Sequence, residues 1–229
     1  MERKIFLNVL IFSVLAVAIA VFFPGQQKQV PDRNQSLPWQ ISPTSEGSIK
    51  VFNLTLGQST IADAIHRLNE VSELSMFVSP EDKHSVEVYF DQTSLAGLRA
   101  KIILTAAISE EDMKAMFNHG TRISTLGDGS RKVTLHPDDI ERIKQSAIAV
   151  LTYLPKAKLD EELLLARFGE PDRRIREKNS TTLHWLYPSQ GLDIALDTDK
   201  GKTVLQYLSP QDFDRVIRPL MAHGEEQFK

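Results

Sequence analysis

The chain has 229 residues, 41% of them hydrophobic and 25% charged, with a formal net charge of −3. That length admits one large domain or two small ones, and the slightly acidic balance gives nucleic acid no global electrostatic footprint. No cysteine is present, which excludes disulfides, thiolate chemistry and a lipid-acylated cysteine.

Met1, Glu2, Arg3 and Lys4 precede an apolar run that opens at Ile5 and closes at Phe23, broken only by Asn8 and Ser13. As a helix this run rises about 28 Å, close to a hydrocarbon core. Arg3 and Lys4 put the N-terminus in the cytoplasm and the body on the far side. The expected localisation is the bacterial inner membrane, single-pass through residues 5–23, with a periplasmic body. Ala16-Val17-Ala18 and Ala18-Ile19-Ala20 both resemble small-x-small cleavage sites, so secretion to the periplasm after signal cleavage is the alternative. Val21-Phe22-Phe23 extends the apolar run beyond both sites and favours an uncleaved anchor over residues 1–23. Residues 24–48 read as a Pro/Gln-rich linker punctuated by Pro24, Pro31, Pro38 and Pro43. They offer few apolar side chains to offset ordering entropy. Trp39 is the odd residue there, suited to contact with the body or the membrane interface.

Residues 49–108 read as an N-terminal α+β module. Residues 49–56 are strand-like. Thr60 and Asp63 have capping-box spacing, and Ile61, Ile65 and Leu68 repeat at helical spacing, predicting a helix over 60–71. Strands are expected at 75–79, 85–91 and 98–106.

Residues 109–150 read as a helix-hairpin-helix connector. Ser109 opens a helix carrying Met113, Met116 and Phe117, with Gly120 as its stop. Gly127-Asp128-Gly129-Ser130 turns a hairpin between 122–126 and 131–135. Pro137 starts a second helix whose stripe of Ile140, Ile143, Ala147 and Val150 carries it through residue 150.

Residues 151–229 read as a C-terminal α+β module. Asp160 caps a helix ending at Phe168, with Gly169 and Pro171 as stop signals. Leu183, Trp185 and Tyr187 alternate on one strand; Leu192, Ile194 and Leu196 make the next; residues 202–208 return. Residues 209–212 cap a last helix that Pro219 is expected to limit. The fold class is therefore α+β, with helices packed on antiparallel sheets after one N-terminal transmembrane helix. The run α-β-β-β at 60–106 is echoed at 159–208, as two diverged modules would be.

The motif Arg167-Phe168-Gly169-Glu170-Pro171, the aromatic strand Trp185-Leu186-Tyr187 and the hairpin over 192–207 resemble the SmpA/OmlA (BamE-like) family of small envelope domains. Gly57-Gln58-Ser59-Thr60 matches that family's start, but in the other half. The resemblance is strongest over 159–208 and reports fold more than activity. It implies helices on a three-stranded antiparallel sheet and an envelope protein that acts by binding partners.

Catalytic and cofactor signals are sparse. His66, His84, His119, His136, His184 and His223 are scattered without ligand spacing, so no metal or cofactor is expected. Asp197, Asp199 and Gly201 fit a hairpin turn better than a calcium loop. Glu110-Glu111, Asp138-Asp139 and Glu161-Glu162 each fall in a first helical turn, where negative charge complements the dipole. No catalytic residue is assigned. The candidate binding patch is Arg173, Arg174, Arg176 and Lys178 with Trp185 and Tyr187, cations beside aromatics that suit an anionic lipid, a glycan or an acidic protein edge. Strand alternation puts Arg174 and Arg176 opposite Arg173. The expected function is a membrane-anchored periplasmic binding or scaffold protein. The alternative is an envelope enzyme acting on glycan or lipid through acidic residues that the fold brings together.

Overall fold

The computed structural model describes residues 37–227. The expected membrane segment and residues 24–36 of the linker lie outside them. The described chain opens on three short strands, β1 (Ser42–Pro43), β2 (Ile49–Val51) and β3 (Leu54–Thr55). Next come α1 (Ile61–Leu68), β4 (Ser72–Val78), β5 (His84–Leu95) and β6 (Leu98–Ala106). The middle holds α2 (Glu110–His119), β7 (Arg122–Thr125), β8 (Arg131–Thr134), α3 (Pro137–Lys144) and β9 (Ile148–Pro155). The last third holds α4 (Glu161–Phe168), β10 (Arg173–Glu177), β11 (Thr182–Tyr187), β12 (Leu192–Asp197), β13 (Lys202–Leu208), α5 (Asp214–His223) and β14 (Gly224–Glu226). The class is α+β. Eleven strands form one antiparallel sheet in the order β14-β10-β11-β12-β13-β9-β6-β5-β4-β8-β7.

The helix starts follow from local chemistry. The Thr60 hydroxyl accepts the Asp63 N–H, and the Asp63 carboxylate accepts the Thr60 N–H at 2.8 Å, a complete capping box. Asp160 accepts the Leu163 N–H at 2.8 Å. The residues from Leu37 to Ser48 are packed on the body: Pro38 is buried, and Trp39 and Ile41 lie against the main core.

Three local expectations change. Residues 49–56 are a hairpin rather than one strand, because Phe52 (φ 51°) and Asn53 (φ 62°) form a two-residue turn with both φ positive. The third helix stops at Lys144 instead of running through 150. Gln145 and Ser146 donate to Arg142 and Ile143 in a tight last turn, and residues 148–155 become β9. Helical and strand periodicity coincide over so short an apolar run, and two flanking strands supply β9 with backbone partners on both sides. The last helix continues past Pro219 to His223; the carbonyl that loses its partner belongs to exposed Arg215.

Register defines two faces. Trp185, Ile194, Leu205, Tyr153, Ile102 and Phe90 are successive cross-strand partners, all fully buried on the face covered by the first four helices. The opposite face carries a smaller core of Ile175, Leu186, Leu208, Phe213 and Leu220 beneath α5. Gly224 lets β14 close on β10: a Cβ there would meet the Leu220 carbonyl at 2.7 Å and the Arg176 carbonyl at 3.0 Å.

Phe52 sits where the halves meet. Its ring stacks on Tyr153 at 5.3 Å and meets the edge of Tyr207 at 5.9 Å. The Tyr207 hydroxyl donates to the Pro38 carbonyl at 2.8 Å. A bulky side chain at φ 51° is strained, and the buried aromatic contacts offset that strain. Replacing Phe52 by Ala should lower stability by about 3–5 kcal/mol, measured by urea unfolding. A change below about 1 kcal/mol would mean that the ring does not anchor the seam.

Candidate functional site

The sheet carries its most unusual chemistry on the face away from the first four helices. His184 on β11 lies between Glu177 on β10 and Asp193 on β12, as diagonal neighbours across adjacent strands. Its Nε2 is 3.0 Å from the Glu177 carboxylate and its Nδ1 is 2.9 Å from both Asp193 oxygens. All three are buried, His184 to 1% exposure. Burial alone would lower the histidine pKa, but the Asp193 and Glu177 carboxylates outweigh it and raise it to about 10. The ring is thus an imidazolium that donates one N–H to each carboxylate. Neither nitrogen keeps a lone pair for proton abstraction or metal ligation. The cluster can pair charge and hold three strands in register; it cannot act as a general base. The second oxygen of Glu177 is buried with no hydrogen-bond partner among the described residues.

A second acid lies further along the same face. Glu87 stands between Ser75 and Thr105 in register. Burial raises its carboxyl to about 7, although the Ser85 hydroxyl, donating at 3.0 Å, favours the charged form. A carboxyl poised there can give or take a proton at neutral pH. Lys132 pairs with Glu73 nearby, and Asp91 accepts from Lys101 at 2.9 Å and from the Tyr89 hydroxyl at 2.7 Å.

The basic patch read from sequence is divided by the pleat. Arg174 and Arg176 lie on the α4 side, where Arg174 stacks 4.7 Å over Trp185 and pairs with Glu170 at 3.0 Å. Arg173 projects from the other face, toward Met221 and Glu226. Lys178 is exposed just beyond β10. Trp185 is fully buried, and Tyr187 is buried with its hydroxyl donating to the Gly169 carbonyl at 2.9 Å. The structure therefore brings Arg174 and Trp185 together, leaves Arg173 apart, and places both aromatics in the core.

The acidic pairs occupy first helical turns. Asp139 adds a contact of its own, 3.0 Å from His119, whose ring stacks 4.2 Å from His136. Among the described residues no group of three or more histidine, aspartate or glutamate side chains is arranged to hold a metal. The Asp197 carboxylate accepts the backbone N–H groups of Asp199 and Lys200 and so organises the turn.

Sequence reasoning missed Glu87, Glu177 and Asp193. The available signal was an acid inside an apolar strand, Val86-Glu87-Val88 and Leu192-Asp193-Ile194. Period-two alternation assigns such residues to solvent, whereas all three side chains are buried.

Two titrations test these assignments. A raised histidine pKa adds stability that is complete below pH 6.5 and is lost as pH rises toward 10. Wild-type stability should fall over that window. His184→Gln should flatten the slope and cost about 3–5 kcal/mol near neutrality, by urea unfolding across pH. Glu87 acts in the same direction over a lower window: its raised pKa makes the folded state bind the extra proton, so burial costs stability increasingly as pH climbs from 4.5 through 7. Glu87→Gln should be more stable than wild type by about 3 kcal/mol at pH 8 and equal to it near pH 4.5. A parallel pair of curves would contradict that.

No family model matches this chain, and neither curated proteins nor solved structures provide a match to it.

Proposed function

We propose that this chain is a membrane-anchored binding or scaffold protein of the bacterial cell envelope, with residues 5–23 in the inner membrane and the body in the periplasm. The observation that carries the reading is the free end of the sheet. Strand β7 is last in the sheet order among the described residues, and Arg122, Ile123 and Thr125 on it are exposed. Ile123 is 48% exposed, an apolar side chain beside edge backbone groups. Such an edge accepts an added strand from a partner.

The resemblance of residues 159–208 to the SmpA/OmlA family belongs to this reading, as does an internal duplication. The unit we favour is α-β-β-β-β, one strand longer than the sequence echo. The copies are α1 with β4, β5, β6 and β9, and α4 with β10, β11, β12 and β13. In the strand order, a two-fold axis between β9 and β13 exchanges them with both helices on one face. Further support is local. Both helices are eight residues long, with N-caps at φ −82°, ψ 164° and φ −81°, ψ 164°. Both stop at a residue of positive φ, Asn69 and Gly169, followed by Glu70 and Glu170. The segment from α2 to α3 is then an insertion in the first copy.

The rival reading, an envelope enzyme for glycan or lipid, draws support from Glu87, whose pKa suits a general acid. It needs a second carboxylate aimed at the same substrate, and Glu73 on the adjacent strand is engaged by Lys132.

A reporter fused after Lys229 should be active only outside the cytosol. A photo-crosslinking residue at Ile123 should give a discrete membrane-fraction adduct that Ser124→Pro abolishes. A cytosolic reporter, or an adduct indifferent to that proline, would overturn the proposal.

A further inference from the structure

The chain enters the body at one corner. Pro38 is buried, with its carbonyl held by the Tyr207 hydroxyl at 2.8 Å. The next residue, Trp39, is half-buried against the main core, with the Arg167 guanidinium 4.8 Å from its ring centroid. Arg167 is exposed on the last turn of α4, and no carboxylate among the described residues forms an ion pair with it. The acids on the same helix are placed elsewhere: Glu161 and Glu162 in its first turn, and Glu170 against Arg174.

We infer that the Trp39–Arg167 corner is a bilayer-contacting surface, with Arg167 binding the phosphate of anionic lipid headgroups while the Trp39 ring lies at the interface. The inference rests on the membrane-anchor reading above and adds to it the face that the body turns toward the lipid. Only thirteen residues separate Phe23 from Leu37. Fully extended they reach at most about 45 Å, so the corner where they join the body is the part tethered closest to the headgroups, and the far end of the sheet is free to meet partners. The residue types match the location. Indole combines an apolar body with one N–H donor and concentrates at membrane interfaces. A guanidinium binds phosphate through two donors at once, and an anionic surface attracts cations within a Debye length. Stacking on Trp39 holds the guanidinium in place, so less side-chain freedom is lost when it binds.

The chain contains two tryptophans, and the second, Trp185, is fully buried. Tryptophan emission from the full chain in vesicles of brominated phosphatidylcholine therefore reports on Trp39. With phosphatidylglycerol added, emission should fall by roughly half relative to unbrominated vesicles of the same charge. Trp39→Phe should abolish the brominated-lipid effect, and Arg167→Glu should return the anionic vesicles to the level of neutral ones. Circular dichroism confirms that each variant is folded. Equal emission in brominated and plain vesicles, or quenching that survives Trp39→Phe, would overturn the inference. Protection of Trp39 that grows with protein-to-lipid ratio would instead assign the corner to a second copy of the chain. Flotation separates the two levels: a chain that fails to float with vesicles contradicts the anchor reading, whereas one that floats without quenching contradicts only this surface.

Discussion

The structure depends on one antiparallel pairing, β9 against β13. Tyr153 lies opposite Leu205 and Tyr207 opposite Leu151. Phe52 covers both rings from the β2–β3 turn. Remove that seam and a five-stranded and a six-stranded sheet remain, each with a long exposed edge, which proteins avoid because unpaired backbone groups invite association. The seam therefore explains why a single body forms from two halves.

On the sheet face beneath α5 the buried charges are paired. Glu177, His184 and Asp193 would each be costly to bury alone; together they exchange hydration for charge-assisted hydrogen bonds. Their geometry reaches from β10 through β11 to β12, and β14 and α5 close the same end of the sheet. Glu87 is different. Its single hydroxyl donor does not compensate for burial, and it holds its proton well above the usual carboxylate range. The first cluster is held by charge pairing and Glu87 by a lone hydroxyl, and they lie on the same face of the sheet.

Local signals in the sequence are legible where short-range chemistry decides. Thr60, Ser109 and Asp160 mark helix starts because their caps need only neighbours three residues away, and Pro137 because its fixed φ suits a first helical position. The 98–106 and 202–208 strands are equally local in origin. What the sequence concealed is long-range. Residues 148–155 are apolar with no distinctive period, and only partners far away in the chain make them a central strand. Phe52 and Asn53 turn the chain without glycine, so the hairpin there had no turn signature. The buried acids were hidden because alternation predicts a solvent face, and nothing local announces that these positions will be buried. The proposed membrane location, by contrast, rests on the sequence, since residues 5–23 lie outside the described part.

The most direct test of the seam is hydrogen exchange of the full chain followed peptide by peptide. Amides of residues 148–155 and 202–208 should exchange slowest and open together with both halves in one global unfolding event. Protection of 159–208 that persists after residues 60–106 have exchanged would show two independent domains and contradict a body built on one shared pairing.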